Sequence, residues 1–329
     1  MLVLRSSRTW LPMTLLLGLL VLVVTGCSDD DDNPGTPSTG EVPAELVGRW
    51  AAATAFVNGT EIDPGIVLEW TDIVVGNQLT VAADGTYVEQ EFTEDRTEVY
   101  RYTGVISVDG NQILVLEDSA GKAAADTAFA GTWALGDNVL VLTATEDGDT
   151  VVLHFHRLIT VDIAFQVTEV SDAENLLGGT IIAGMHGTGS YTYDAGVEDG
   201  NALTTVGDYT STIAPCGIFL TLGALQFQTD LGNVNFLLEV CNDHTGSDNY
   251  LLRSYNNLDM SNDVAVDHIA WQLDDTSQAA LDGIGLPLIP PELEDWEQIF
   301  ALTVEGSLIE DPFRDFLIRC NVTSATLAD

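Results

Sequence analysis

The stretch Gln78-Leu79-Thr80-Val81-Ala82-Ala83-Asp84-Gly85-Thr86-Tyr87-Val88-Glu89-Gln90-Glu91-Phe92 decides the fold. Residues 78–81 alternate polar and apolar, the period of a strand with one face in a core, and residues 86–92 run back from Ala83-Asp84-Gly85, a hairpin turn. The device repeats on both sides. Residues 99–108 and 112–117 flank Asp109-Gly110-Asn111, and residues 132–135 and 139–144 flank Gly136-Asp137-Asn138. Glu146-Asp147-Gly148-Asp149 then leads into a last strand at 150–158. About eight to ten short strands in meander order predict an up-and-down antiparallel barrel or a strongly curved sheet over residues 44–159.

The second half, residues 160–329, is also β-rich. Strands are expected at 161–170, 189–193, 218–222, 225–228, 268–273 and 316–326, and an apolar one at 234–241 buried on both faces. Leu286-Pro287-Leu288-Ile289-Pro290-Pro291 predicts a rigid extended segment, because proline fixes φ and removes a donor. So many short strands suit a β-sandwich. The expectation is an all-β chain, a barrel followed by a β-sandwich-like domain.

Several motifs add resemblances. Leu46-Val47-Gly48-Arg49-Trp50 resembles the Gly-x-Trp motif that opens lipocalin-like barrels. Ala83-Asp84-Gly85-Thr86-Tyr87, Gly131-Thr132-Trp133 and Asn138-Val139-Leu140 are similar to runs in small lipocalin-like domains of bacterial lipoproteins. The resemblance implies that Gly48, Trp50 and Arg157 are structural, with Arg157 closing the barrel over Trp50 through a cation–π contact of ~1 kcal/mol. It also implies a barrel that either holds a small apolar ligand or fills itself with side chains. From Gly184-x-x-Gly187-x-Gly189-Ser190-Tyr191 through Asn242-Asp243-His244 and Leu273-Asp274-Asp275 to Trp296, the second half resembles a domain of secreted, PEP-CTERM-associated bacterial proteins. That domain has no known function, so the resemblance implies export and β structure only. No hydrophobic sorting tail precedes Asp329, and a lipid anchor is expected in its place.

The amino terminus supplies the anchor. Arg5 and Arg8 precede an apolar run at 11–24, which is shorter than the ~20 residues of a membrane-spanning helix. Val24-Thr25-Gly26-Cys27 resembles the lipobox of bacterial lipoproteins, implying cleavage after residue 26 and lipidation of Cys27. Residues 27–43 are acidic, rich in Pro and Gly, and almost free of apolar side chains, so they cannot offset the entropy of ordering and read as a tether. Ser28 after the cysteine favours the outer membrane over the inner.

Charge narrows the partners. The formal net charge is -41, and Lys122 is the single lysine. Such a surface repels nucleic acid, whose binding needs Lys and Arg to displace counterions, and it repels anionic headgroups. Membrane contact therefore falls to the lipid. The acids are scattered, which fits solubility in salt better than ion binding. One run, Asn242, Asp243, Asp248 and Asn249, gathers oxygen ligands as a Ca²⁺ loop would, though Asn/Asp loops are more often turns. Besides Cys27, the thiols of Cys216, Cys241 and Cys320 allow one disulfide and one leftover, with the pair undetermined. His154 and His156 share a strand face and could offer two metal ligands without a third. No Gly-x-Ser-x-Gly, His-Glu-x-x-His, Rossmann or Walker motif occurs. The reading is a non-enzymatic binding or structural lipoprotein that takes a small apolar ligand or a glycan. The rival is a carbohydrate hydrolase using paired carboxylates. Trp70, Trp271 and Trp296 could serve a sugar platform or a core.

Overall fold

A computed structural model describes residues 42–68, 71–118, 126–146, 148–260 and 263–328. Cys27, its tether and Trp70 lie outside the described residues. The first nine strands are β1 (Gly48–Val57), β2 (Thr60–Ile62), β3 (Gly76–Val81), β4 (Thr86–Phe92), β5 (Glu98–Asp109), β6 (Gln112–Glu117), β7 (Asp126–Gly136), β8 (Val139–Glu146) and β9 (Asp149–Ser171). Their turns follow from the punctuating residues. Asp84 accepts from the Thr86 backbone N–H at 3.0 Å beside Gly85, whose φ is +84°. Asp137 and Asn138 both take positive φ, as a two-residue hairpin requires.

Each of β4 to β9 pairs antiparallel with its predecessor, and β1 pairs with both β3 and β9. Eight strands thus close into a ring around Trp50, Tyr87, Leu142, Leu153 and Phe155.

The remaining strands are β10 (His186–Asp194), β11 (Val206–Ser211), β12 (Gly217–Leu222), β13 (Leu225–Gln228), β14 (Phe236–His244), β15 (Ser247–Ser254), β16 (Val264–Asp275), β17 (Gln298–Ile299), β18 (Leu302–Leu308) and β19 (Asp311–Leu327). Apart from the short β17, their pairings run β13-β12-β10-β9-β19-β18-β16-β15-β14-β11. This corrects the sandwich expectation: the sheet does not split in two but curls around one core of Tyr191, Phe236, Leu252, Trp271 and Phe316. Two irregularities in the β9–β19 ladder, with Thr168 the extra residue on β9 and Thr323 the extra residue on β19, let the long strands bend with that curl.

The boundary expected at 159–160 falls inside β9, which continues unbroken from one module into the other. Its first half pairs with β1 and β8, and its second half with β10 and β19. The partition is visible residue by residue in β1, where Trp50 belongs to the first core and Ala51 to the second. Among the described residues, no helix is long and apolar enough to cross a membrane.

Candidate functional site

The two modules touch along more than β9. The turn after β4 reaches across: Leu231 N–H donates to Glu94 O at 3.0 Å, and Gln228 Nε2 donates to Asp95 O at 3.3 Å. Arg96 Nη1 donates to Pro215 O at 3.0 Å. On the other side of β9, His156 Nδ1 lies 2.7 Å from Asp194 Oδ2, and Asn138 Nδ2 donates to Ala195 O at 3.2 Å.

Beside the contacts of Asp95 and Arg96 lies a cleft of about 450 Å³, within the usual range for small-molecule sites. Its floor is the outer face of the second sheet. On β10, Tyr191 and Tyr193 point into the core, so strand alternation sends Ser190 and Thr192 outward into the cleft. Thr160 of β9 joins them, its hydroxyl 3.0 Å from that of Thr192. Phe219 of β12 and Gln226 and Gln228 of β13 complete the floor. The wall comes from the first module: Arg49, Gln78, Phe92 and the turn at 95–97. The charged residues of the lining are Arg49, Arg96 and Asp95. Hydrogen bonds from Thr93 and Thr97 hold the Asp95 carboxyl below its usual range, so it stays ionised.

Arg96 is unusual. Its Nε and Nη2 are buried without an acceptor, and burial pulls its guanidinium down to about 10. Gln228 Oε1 on the floor is likewise buried without a donor.

A second cavity of about 310 Å³ lies beneath the proline-bearing strap, against Tyr250 and Trp296. Asp275 and Asp248 fasten the strap. Asp275 accepts from Ser277, Ala279 and Ala280 N–H, and Asp248 from Leu281 N–H at 3.0 Å. Neither cavity lies inside the first ring.

The residues singled out by sequence take these places. Arg157 pairs with Trp50 across β1 and β9, its Cζ 4.6 Å from the indole centroid, and Trp50 Nε1 donates to Leu46 O at 3.0 Å. Gly48 has φ +140°, and a Cβ there would sit 3.2 Å from Arg157 Nη1. Asn242, Asp243, Asp248 and Asn249 belong to the β14–β15 hairpin, not to an open loop. Both Asp248 oxygens accept backbone N–H groups, from Asp243 and Leu281, and Asn249 donates to Asp274. Among the described residues, no group of three or more His, Cys, Asp and Glu side chains is placed to hold a metal.

Cys216, Cys241 and Cys320 are all free and buried. Cys241 pairs with Val206 and Asn249, and Cys320 with Leu302 and Val167, so neither strand position faces another cysteine. Burial pushes the Cys241 and Cys320 thiols up to about 12, which leaves them unreactive. His154 packs its ring 5.3 Å from that of Phe56, and burial lowers its imidazole, with His156 adding to the effect.

One feature of the first ring escaped the sequence reading. Tyr87, Glu89 and Glu91 share one face of β4, turned toward the first core. Asn77 accepts from Ala52 N–H at 3.0 Å and donates to Glu89 Oε1 at 2.6 Å. Burial and then the charge of Glu89 raise Glu91 to about 7, and burial raises Glu89 as well. Because the folded value of Glu91 lies above the unfolded one, its stability contribution is complete below about pH 4.5 and is lost as pH rises through about 7. Glu91→Gln is therefore expected to match the parent at pH 4 and exceed it at pH 8 by roughly 2 kcal/mol, after allowing for partial solvent screening. Urea denaturation at both values checks this, and an equal difference at both would refute the assignment.

Comparison with protein families, with curated proteins and with solved structures gave no match.

Proposed function

We propose that the chain is an exported lipoprotein, held at the outer membrane through lipid on Cys27, that binds a small polar molecule in the cleft between its modules without transforming it. The first ring then serves as a lipocalin-like barrel whose interior is core and whose outer face is one wall of the site. The second module provides the floor. The membrane is met through the lipid alone, and nucleic acid is not a partner for so acidic a surface. The observation that carries the reading is the cleft itself. Its floor sets hydroxyls and amides, which both donate and accept, beside a phenylalanine ring, all on the outward positions of strands whose inward positions are core. This shifts the ligand from the apolar class toward the glycan class.

A thermal-shift panel of saccharides, organic acids and fatty acids, run with assays for product release, tests the reading. A polar compound is expected to give a saturable shift without turnover, and Ser190→Trp, which fills the floor, to abolish it. A shift from fatty acids alone, or one that survives Ser190→Trp, contradicts it. The rival hydrolase draws on Glu91, held near neutrality beside Glu89 as a general acid would be. Product release lost in Glu91→Gln would establish that rival instead.

A further inference from the structure

We infer that the ligand of the cleft is an acidic sugar or a closely similar polyhydroxylated carboxylic acid, its carboxylate received by Arg96 and a hydroxyl by Gln228; this rests on the cleft being the binding site. The chain holds 51 Asp and Glu against 10 Lys and Arg, so a guanidinium here has abundant carboxylates to pair with. Arg101, Arg314 and Arg319 do so, with Glu98, Glu174 and Glu169. Arg96 does not. Its Nη1 is spent on a carbonyl, that of Pro215, and its Nε and Nη2 are buried with no acceptor. Asp95, the adjacent acid, turns its carboxylate to Thr93 and Thr97 instead.

A buried donor without an acceptor costs about 1–3 kcal/mol, more when charged, so an acceptor brought by a ligand meets an unbalanced demand. A carboxylate matches the guanidinium fork in charge and plane. The demand on Gln228 is opposite in kind, since its buried Oε1 lacks a donor. A bare anion cannot supply one; a hydroxyl can. The rest of the floor agrees, because the Ser190, Thr160 and Thr192 hydroxyls suit a polyol and the Phe219 ring suits its C–H face.

The test is calorimetric titration of the full chain in detergent with D-galacturonate, D-galactose and inorganic sulfate. The first two differ chiefly at the carboxylate. Galacturonate is expected to bind at least tenfold tighter than either other probe, a difference lost in Arg96→Gln and only partly kept in Arg96→Lys, which keeps the charge without the fork. Equal binding of galacturonate and galactose overturns the carboxylate assignment and leaves the cleft as a neutral-sugar site. Sulfate as tight as galacturonate overturns the hydroxyl part. No binding by galacturonate overturns the inference, while loss of every polar ligand from the broader panel is what defeats the reading beneath it. The comparison of probes on the unsubstituted chain stands even if the Arg96 variants fail to fold.

Discussion

A Trp50→Ala chain is expected to lose about 4 kcal/mol of stability, the scale of deleting a fully buried indole. Trp50 is 0% exposed at the centre of the first core, where β1 meets both β3 and β9. Three losses coincide. The core gains a cavity, the Leu46 carbonyl loses the indole N–H, and the Arg157 guanidinium loses the ring beneath it. Arg157→Ala removes the last of these together with the guanidinium's bonds to the Val47 and Glu45 carbonyls, and should cost about 2 kcal/mol. Urea unfolding followed by far-ultraviolet circular dichroism measures both, and similar values for the two would contradict this division of roles.

Gly104→Ala is expected to prevent folding or to cost about 4 kcal/mol or more, in the range of severe overpacking. A Cβ built on Gly104 would lie 1.9 Å from the Leu116 carbonyl oxygen and 2.7 Å from Tyr87 Cε1. The first obstacle is backbone of the neighbouring strand and cannot step aside without breaking the β5–β6 ladder. The second is a ring in the core, on the strand that pairs on the other side. Gly136→Ala is the control, since nothing lies within 4 Å of its built Cβ. The two variants behaving alike in expression and thermal unfolding would contradict the packing described.

The β class and most hairpins were legible because the turn chemistry is local. Asp84-Gly85 and Asp137-Asn138 announce themselves, and the strands on either side fall where alternation puts them. The unbroken β9 was not legible as one strand. Leu158-Ile159-Thr160-Val161 carries no turn residue, yet a strand of 23 residues serving two cores is outside the lengths that prior expectation allows. β15 was missed for the opposite reason: Ser247, Asp248 and Asn249 look like a turn, but Asp248 is buried as an anchor for the strap. The cleft had no local signal at all. Ser190 and Thr192 read as the polar side of a strand, and Arg96 as a turn residue with positive φ. Only the docking of the modules brings them together. Arg96 was the one retrievable hint, as a rare base in an acidic chain.

The most direct measurement is a crystal structure of the chain soaked with the compound that gives the largest saturable thermal shift. The account predicts ligand density between Arg49, Thr192 and Phe219, with an acceptor turned to Arg96. Density inside the first ring or beneath the strap at Tyr250 and Trp296, with the cleft empty, would contradict it.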